Sequence, residues 1–128
     1  MADTRLPDEV RALVQNHLSS MAHLDALLLL AGAPDTALPA SAVAARIGAE
    51  HDAVARALGD LRGASLVAAD ESEGGTAYRF APADAALRHA AGTLAEMYRR
   101  FPVQVIRAVY ERPPSPVQQL ADAFRLRR

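Results

Sequence analysis

A mainly α-helical fold with one small β-hairpin is predicted by three features of the sequence. Apolar residues recur at helical spacing through most of the chain, two short β-favouring runs flank a polar turn with a glycine pair, and prolines and glycines punctuate the segments between. A chain of 128 residues, 51% hydrophobic and 23% charged, can bury one core and carry an appendage.

The first helix is expected over about residues 7–18, because Pro7 suits a first helical position, Asp8 and Glu9 complement the positive end, and Val10, Leu13, Val14, His17 and Leu18 share a face. Ser19-Ser20 can cap a second helix from Met21 to about Ala31, apolar nearly all round and therefore expected to be buried. Gly32-Ala33-Pro34-Asp35 ends it. Leu38-Pro39 opens a short third helix, with Ser41 or the preceding turn as cap, whose Val43, Ala44 and Ile47 form one stripe before Gly48 stops it. A fourth helix over about residues 50–62 turns Val54, Ala57, Leu58 and Leu61 inward, and Gly63 is its expected stop. Residues 65–69 and 76–80 are the hairpin strands, with the polar run 70–75 as their loop.

Pro82 begins a long helical stretch in which Leu87, Ala91, Leu94, Tyr98, Phe101 and Val105 alternate by four and three residues, a heptad seam that Pro102 should kink or split. The seam can be an intramolecular stripe lying on the first helix or the contact of a homodimer. Pro113, Pro114 and Pro116 delimit a terminal helical arm carrying Leu120, Phe124 and Leu126 with Arg125, Arg127 and Arg128. The chain is thus read as residues 1–81, residues 82–112 and an arm over 113–128.

The order helix, helix, short helix, tight break, helix, hairpin is that of winged helix-turn-helix domains. Residues 20–81 resemble the domain of MarR-type bacterial transcription regulators, on the run Leu38-Pro39-Ala40-Ser41-Ala42-Val43-Ala44-Ala45-Arg46-Ile47-Gly48, the following helix with Leu58 and Leu61 inside, then Gly63 and Leu66-Val67. The resemblance implies double-stranded DNA as partner. It places His51, Asp52, Ala55, Arg56 and Gly59 toward the major groove, with Arg56 reading guanine and Arg46, Arg62 and Arg79 against phosphates. It also implies a homodimer held by terminal helices, in which the heptad residues, Leu120 and Phe124 are the candidate contacts.

Charge supplies a second reading. From residue 40 to 81, four arginines stand against Glu50, Asp52, Asp60, Asp70, Glu71 and Glu73, and the whole chain carries a net charge of −1. All 14 basic residues are arginine, and positive charge concentrates after residue 81. A winged helix that binds a protein, through its acidic face or its terminal arm, is therefore the alternative to one that binds DNA.

Other classes find little material. The absence of cysteine removes disulfides, thiolate metal sites, cysteine nucleophiles and thiol redox sensing. His17, His23, His51 and His89 lack metal-ligand spacing and are assigned to the surface or core edge. Ser19, Ser20 and Ser41 sit at caps without a nucleophile elbow, and Gly74-Gly75 is a turn rather than a phosphate loop. No catalytic residue, cofactor, metal or effector pocket is predicted. The start of the chain has no export-signal pattern and its longest apolar run is too short for a bilayer, so a cytoplasmic protein is expected.

Overall fold

The computed structural model describes residues 6–72 and 74–111. In chain order these form α1 (Asp8–His17), α2 (Met21–Ala31), β1 (Leu38–Pro39), α3 (Ala40–Ile47), α4 (His51–Gly63), β2 (Val67–Ser72), β3 (Gly75–Phe80), α5 (Ala85–Arg100) and α6 (Pro102–Tyr110). The three strands make an antiparallel sheet in the order β1-β3-β2. The helices and the hairpin expected within these residues are present, with shifted boundaries, and the fold is the winged helix. The terminal arm, with Leu120 and Phe124, lies outside the described residues, as does Glu73.

The core is built around α2. Leu24, Ala26, Leu27 and Leu30 have no exposed surface, and the helix packs against α3, α4, α5, α6 and β3. Ser20 caps α2 by accepting the His23 amide at 3.4 Å. Leu28 and Leu29 depart from the expectation of complete burial. Both are half-buried because they line an open cleft of about 490 Å³ with Asp25, Ile47, Ala95, Tyr98 and Arg99, a cavity that no single stretch of sequence announces.

Several boundaries differ from the sequence reading, each for a local reason. Helix α3 has no side-chain cap: its N-cap position is Pro39, and Ser41 lies exposed inside the helix. Leu38 and Pro39 instead pair with Tyr78 and Ala77 of β3, adding an unpredicted third strand. Gly48 closes α3 in the left-handed conformation, φ 71°, with Ala49 also returning to the Ala44 carbonyl at 3.1 Å. At the end of α4, Gly63 is still helical and the left-handed residue is Ser65, φ 63°. The Ser65 and Leu66 amides donate to the Arg62 and Leu61 carbonyls, both at 3.0 Å, which is a Schellman closure with the buried Leu66 packed beneath it. Ser65 and Leu66 are therefore helix termination, and β2 starts at Val67.

The polar run 70–72 is strand rather than loop, because Asp70, Glu71 and Ser72 pair with Ala77, Thr76 and Gly75. Residues 82–84 precede α5 instead of starting it, since Asp84 caps the helix by accepting the Leu87 amide at 2.8 Å. Pro102 splits the C-terminal helix: Phe101 leaves helical geometry at φ −135° and ψ 62°, and Pro102 becomes the first residue of α6. The heptad seam is largely consumed inside the chain. Ala91, Leu94 and Val105 are fully buried, while Leu87, Tyr98 and Phe101 remain half-buried. Since α5 packs on α1, α2 and α6, this stripe is intramolecular, and its three buried members have no surface left for a second copy.

Two stability outcomes follow. Left-handed geometry costs a residue with a Cβ about 1–2 kcal/mol, which glycine avoids at the expense of unfolded-state entropy. Ser65→Gly is accordingly expected to raise unfolding stability by up to about 1 kcal/mol in a denaturant titration; a loss would show that the Schellman closure is not the stable form. Burial raises the Asp25 carboxyl above its ordinary value, and the Tyr98 phenol is raised by its own burial and then by the Asp25 charge. A carboxyl with a raised folded value binds its proton more readily folded than unfolded, so ionising it opposes folding at neutral pH. Asp25→Asn is expected to be more stable than the parent at neutral pH, with the advantage shrinking as the pH falls towards about 4. A constant gap across that range would remove Asp25 as the source.

Candidate nucleic-acid interface

Helices α3 and α4 meet across the Gly48 turn, and the apolar side of α4 fixes which residues point outward. Val54, Ala57, Leu58 and Leu61 have no exposed surface. With 3.6 residues per turn, the opposite face then carries Asp52, Ala55, Arg56 and Gly59, with His51 of the first turn at its edge, on the side of Leu58. His51, Asp52, Arg56 and Gly59 are exposed and Ala55 is half-buried. Four of the residues expected toward the groove thus share one outer face, and His51 lies at its edge.

The arginines are not equivalent. Arg46, at the last turn of α3, and Arg56 and Arg62 on α4 are exposed, and among the described residues no carboxylate lies within ion-pair distance of them. Arg79 differs. Its Nε donates to Asp70 Oδ2 at 3.1 Å across the β2–β3 hairpin, so the wing's cation is already engaged. Glu71 accepts the Thr76 hydroxyl at 2.8 Å, and the Ser72 hydroxyl donates to the Gly75 carbonyl at 3.1 Å. These bonds stiffen the hairpin and leave it without free positive charge.

At the start of α4, Glu50 occupies the N-cap position without a side-chain cap bond, while Asp52 lies in the first turn and pairs with His51 Nδ1 at 3.2 Å. Both carboxylates favour the positive helix end electrostatically, a role independent of any ligand.

One residue that sequence reasoning assigned to the surface or core edge is structurally central. His23 is the buried polar side chain of the core, 7% exposed, and its Nε2 lies 2.8 Å from Asp60 Oδ2 on α4. Its Nδ1 lies 2.7 Å from Ser20 Oγ. A helical histidine in register with Leu27 and Leu30 signals an inward-facing polar group, yet its partner 37 residues away leaves no trace in local spacing. Of the other histidines, His51 is exposed, and exposed His89 pairs with Glu9 at 3.2 Å between α5 and α1. Among the described residues no three potential ligands converge on a metal position, and no helix is long and apolar enough to cross a membrane.

No family model matches the sequence, and no curated protein sequence matches it. Solved structures do. Reduced HlyU from Vibrio cholerae superimposes with a TM-score of 0.54 at 18% identity, covering 73% of this chain and 92% of its own. A second structure of HlyU from the same organism gives 0.54 at 17% identity, over 73% of this chain and 95% of that one. A MarR-family transcriptional regulator from Silicibacter pomeroyi gives 0.50 at 18% identity, over 93% of this chain and 75% of its own. At these identities the likeness concerns architecture, and the shared architecture is the winged helix-turn-helix.

Proposed function

We propose that this chain is a non-enzymatic, DNA-binding transcriptional regulator of the winged-helix type, acting in a bacterial cytoplasm. The observation that carries the reading is the outer face of α4, where Arg56 stands exposed between Ala55 and Gly59 with no carboxylate partner among the described residues. Small neighbours allow the helix to approach base edges closely, and a free guanidinium can make two parallel hydrogen bonds to guanine O6 and N7. Arg46 and Arg62 flank it as phosphate contacts. Arg79 joins them only by giving up Asp70, which makes the wing the weaker contact.

The proposal includes a two-fold dimer, presenting two α4 helices to half-sites about one DNA turn apart. Its support is α6, whose Val103 and Tyr110 are 61% and 70% exposed, the large apolar side chains most open to solvent among the described residues. The half-buried Leu87, Tyr98 and Phe101 are the seam members that retain surface.

A protein partner is the second reading, favoured by the exposed Glu50, Asp52, Asp70 and Glu71 around the same face and wing. The two are separated by selecting from a randomised duplex pool at several salt concentrations, with Arg56→Ala in parallel. A discrete sequence should be enriched, with log affinity falling by about 0.9 per decade of salt for each phosphate neutralised. Arg56→Ala should weaken that site by about 1–3 kcal/mol and relax the preference at one base pair. Absence of enrichment at low salt, or an unchanged preference in Arg56→Ala, would overturn the DNA reading and leave the protein partner.

A further inference from the structure

Building on the DNA-binding reading, we infer that His23 is a positioning residue for the interface: it holds the Asp60 carboxylate away from Arg56 and so keeps that guanidinium free. Arg56 and Asp60 are four residues apart on α4, the spacing at which opposite charges on a helix meet. The Asp60 side chain is 67% exposed, so burial does not prevent it from turning to Arg56. It is bonded instead to His23, whose side chain is only 9% exposed.

The ring that holds it is fixed from both sides. With the neutral ring protonated at Nε2, that N–H donates to Asp60 Oδ2 at 2.8 Å, and Nδ1 accepts from the Ser20 hydroxyl at 2.7 Å. The Ser20 oxygen accepts the His23 amide at 3.4 Å as the cap of α2. Both ring nitrogens and the Ser20 oxygen are thereby used, and among the described residues no buried side-chain polar atom lacks a partner. A locked, buried donor at the foot of α2 gives the Asp60 carboxylate a fixed address on the inner flank of α4. Released, the same carboxylate would be free to pair with Arg56 and neutralise it.

The test compares the parent with His23→Leu, Asp60→Asn and the double variant, reading duplex affinity, thermal stability and the exchange of the Arg56 Nε proton with solvent by NMR. His23→Leu should weaken binding about fivefold, the scale of one exposed ion pair, and slow exchange at Arg56 as Asp60 engages it. Adding Asp60→Asn should return affinity to within about twofold of the parent and restore fast exchange. Thermal stability should stay below the parent in both His23 variants, since a lost core hydrogen bond is not replaced. Affinity that is not restored in the double variant would reduce His23 to a purely structural residue, as would unchanged exchange at Arg56. Should His23→Leu fail to fold, His23→Phe keeps the ring shape while removing both nitrogens and is read identically. If the parent binds no duplex, the regulator reading falls, while exchange at Arg56 still decides the role of His23.

Discussion

The fold depends on the burial of α2. Leu24, Leu27 and Leu30 are each withdrawn from water completely, contributing about 1.5–3 kcal/mol apiece relative to exposure, and every other layer takes its position from that helix. The sheet packs on it through β3, the α3–α4 pair sits across it, and α5 and α6 cover it from the other side. A helix so enclosed tolerates a polar side chain only where its hydrogen bonds are fully supplied. His23 meets that condition through Ser20 and Asp60, so the packing that secures α2 also fixes one carboxylate of α4. Asp25 meets it less well: it lies at the lip of an apolar cleft, and burial raises its carboxyl.

The same bonds order the charges of the helix-turn-helix and wing. Counted along the sequence, carboxylates outnumber arginines there, which argues against contact with phosphate. Placed in space, they are distributed unevenly. Asp60 is bonded to His23, Asp70 to Arg79, Glu71 to Thr76 and Asp52 to His51, whereas Arg46, Arg56 and Arg62 have no acidic partner among the described residues. Local potential near an exposed guanidinium is set by what lies within a Debye length, about 8–10 Å; of these bonds Asp70 with Arg79 joins opposite full charges, while Glu71, bonded to a hydroxyl, keeps its own. Only the wing loses by this arrangement, because its one arginine is spent on its own acid.

Most helices were legible because burial on one face imposes a 3.6-residue period that reaches the sequence directly, as in Val54, Ala57, Leu58 and Leu61. The outer face of α4 was legible for the same reason, being the complement of that stripe. What escaped the sequence has no such period. A two-residue strand ending in proline, Leu38–Pro39, is recognised only by its partner Tyr78. The left-handed stop falls on Ser65 rather than Gly63 because closure follows the position of Leu66 in the core, which outweighs the local preference for glycine. The His23–Asp60 bond joins distant helices, and the cleft draws on α2, α3 and α5 together.

The C-terminal seam shows how one period can serve either of two partners. Alternation by four and three residues reports that one side of a helix is apolar and is silent about whether the covering surface belongs to the same chain. Here Phe101 and Pro102 decide. A continuous helix would carry Leu94 and Val105 along one straight line, suited to a parallel or antiparallel copy. The break at Phe101 turns α6 so that Val105 and Val109 enter the core with Leu94, and α6 also packs on α1 and α2. That turn exposes the other side of α6, with Val103 and Tyr110 separated by seven residues and therefore on one face. Proline at the first position of α6 thus both satisfies the internal core and leaves Val103 and Tyr110 as an outward apolar pair among the described residues.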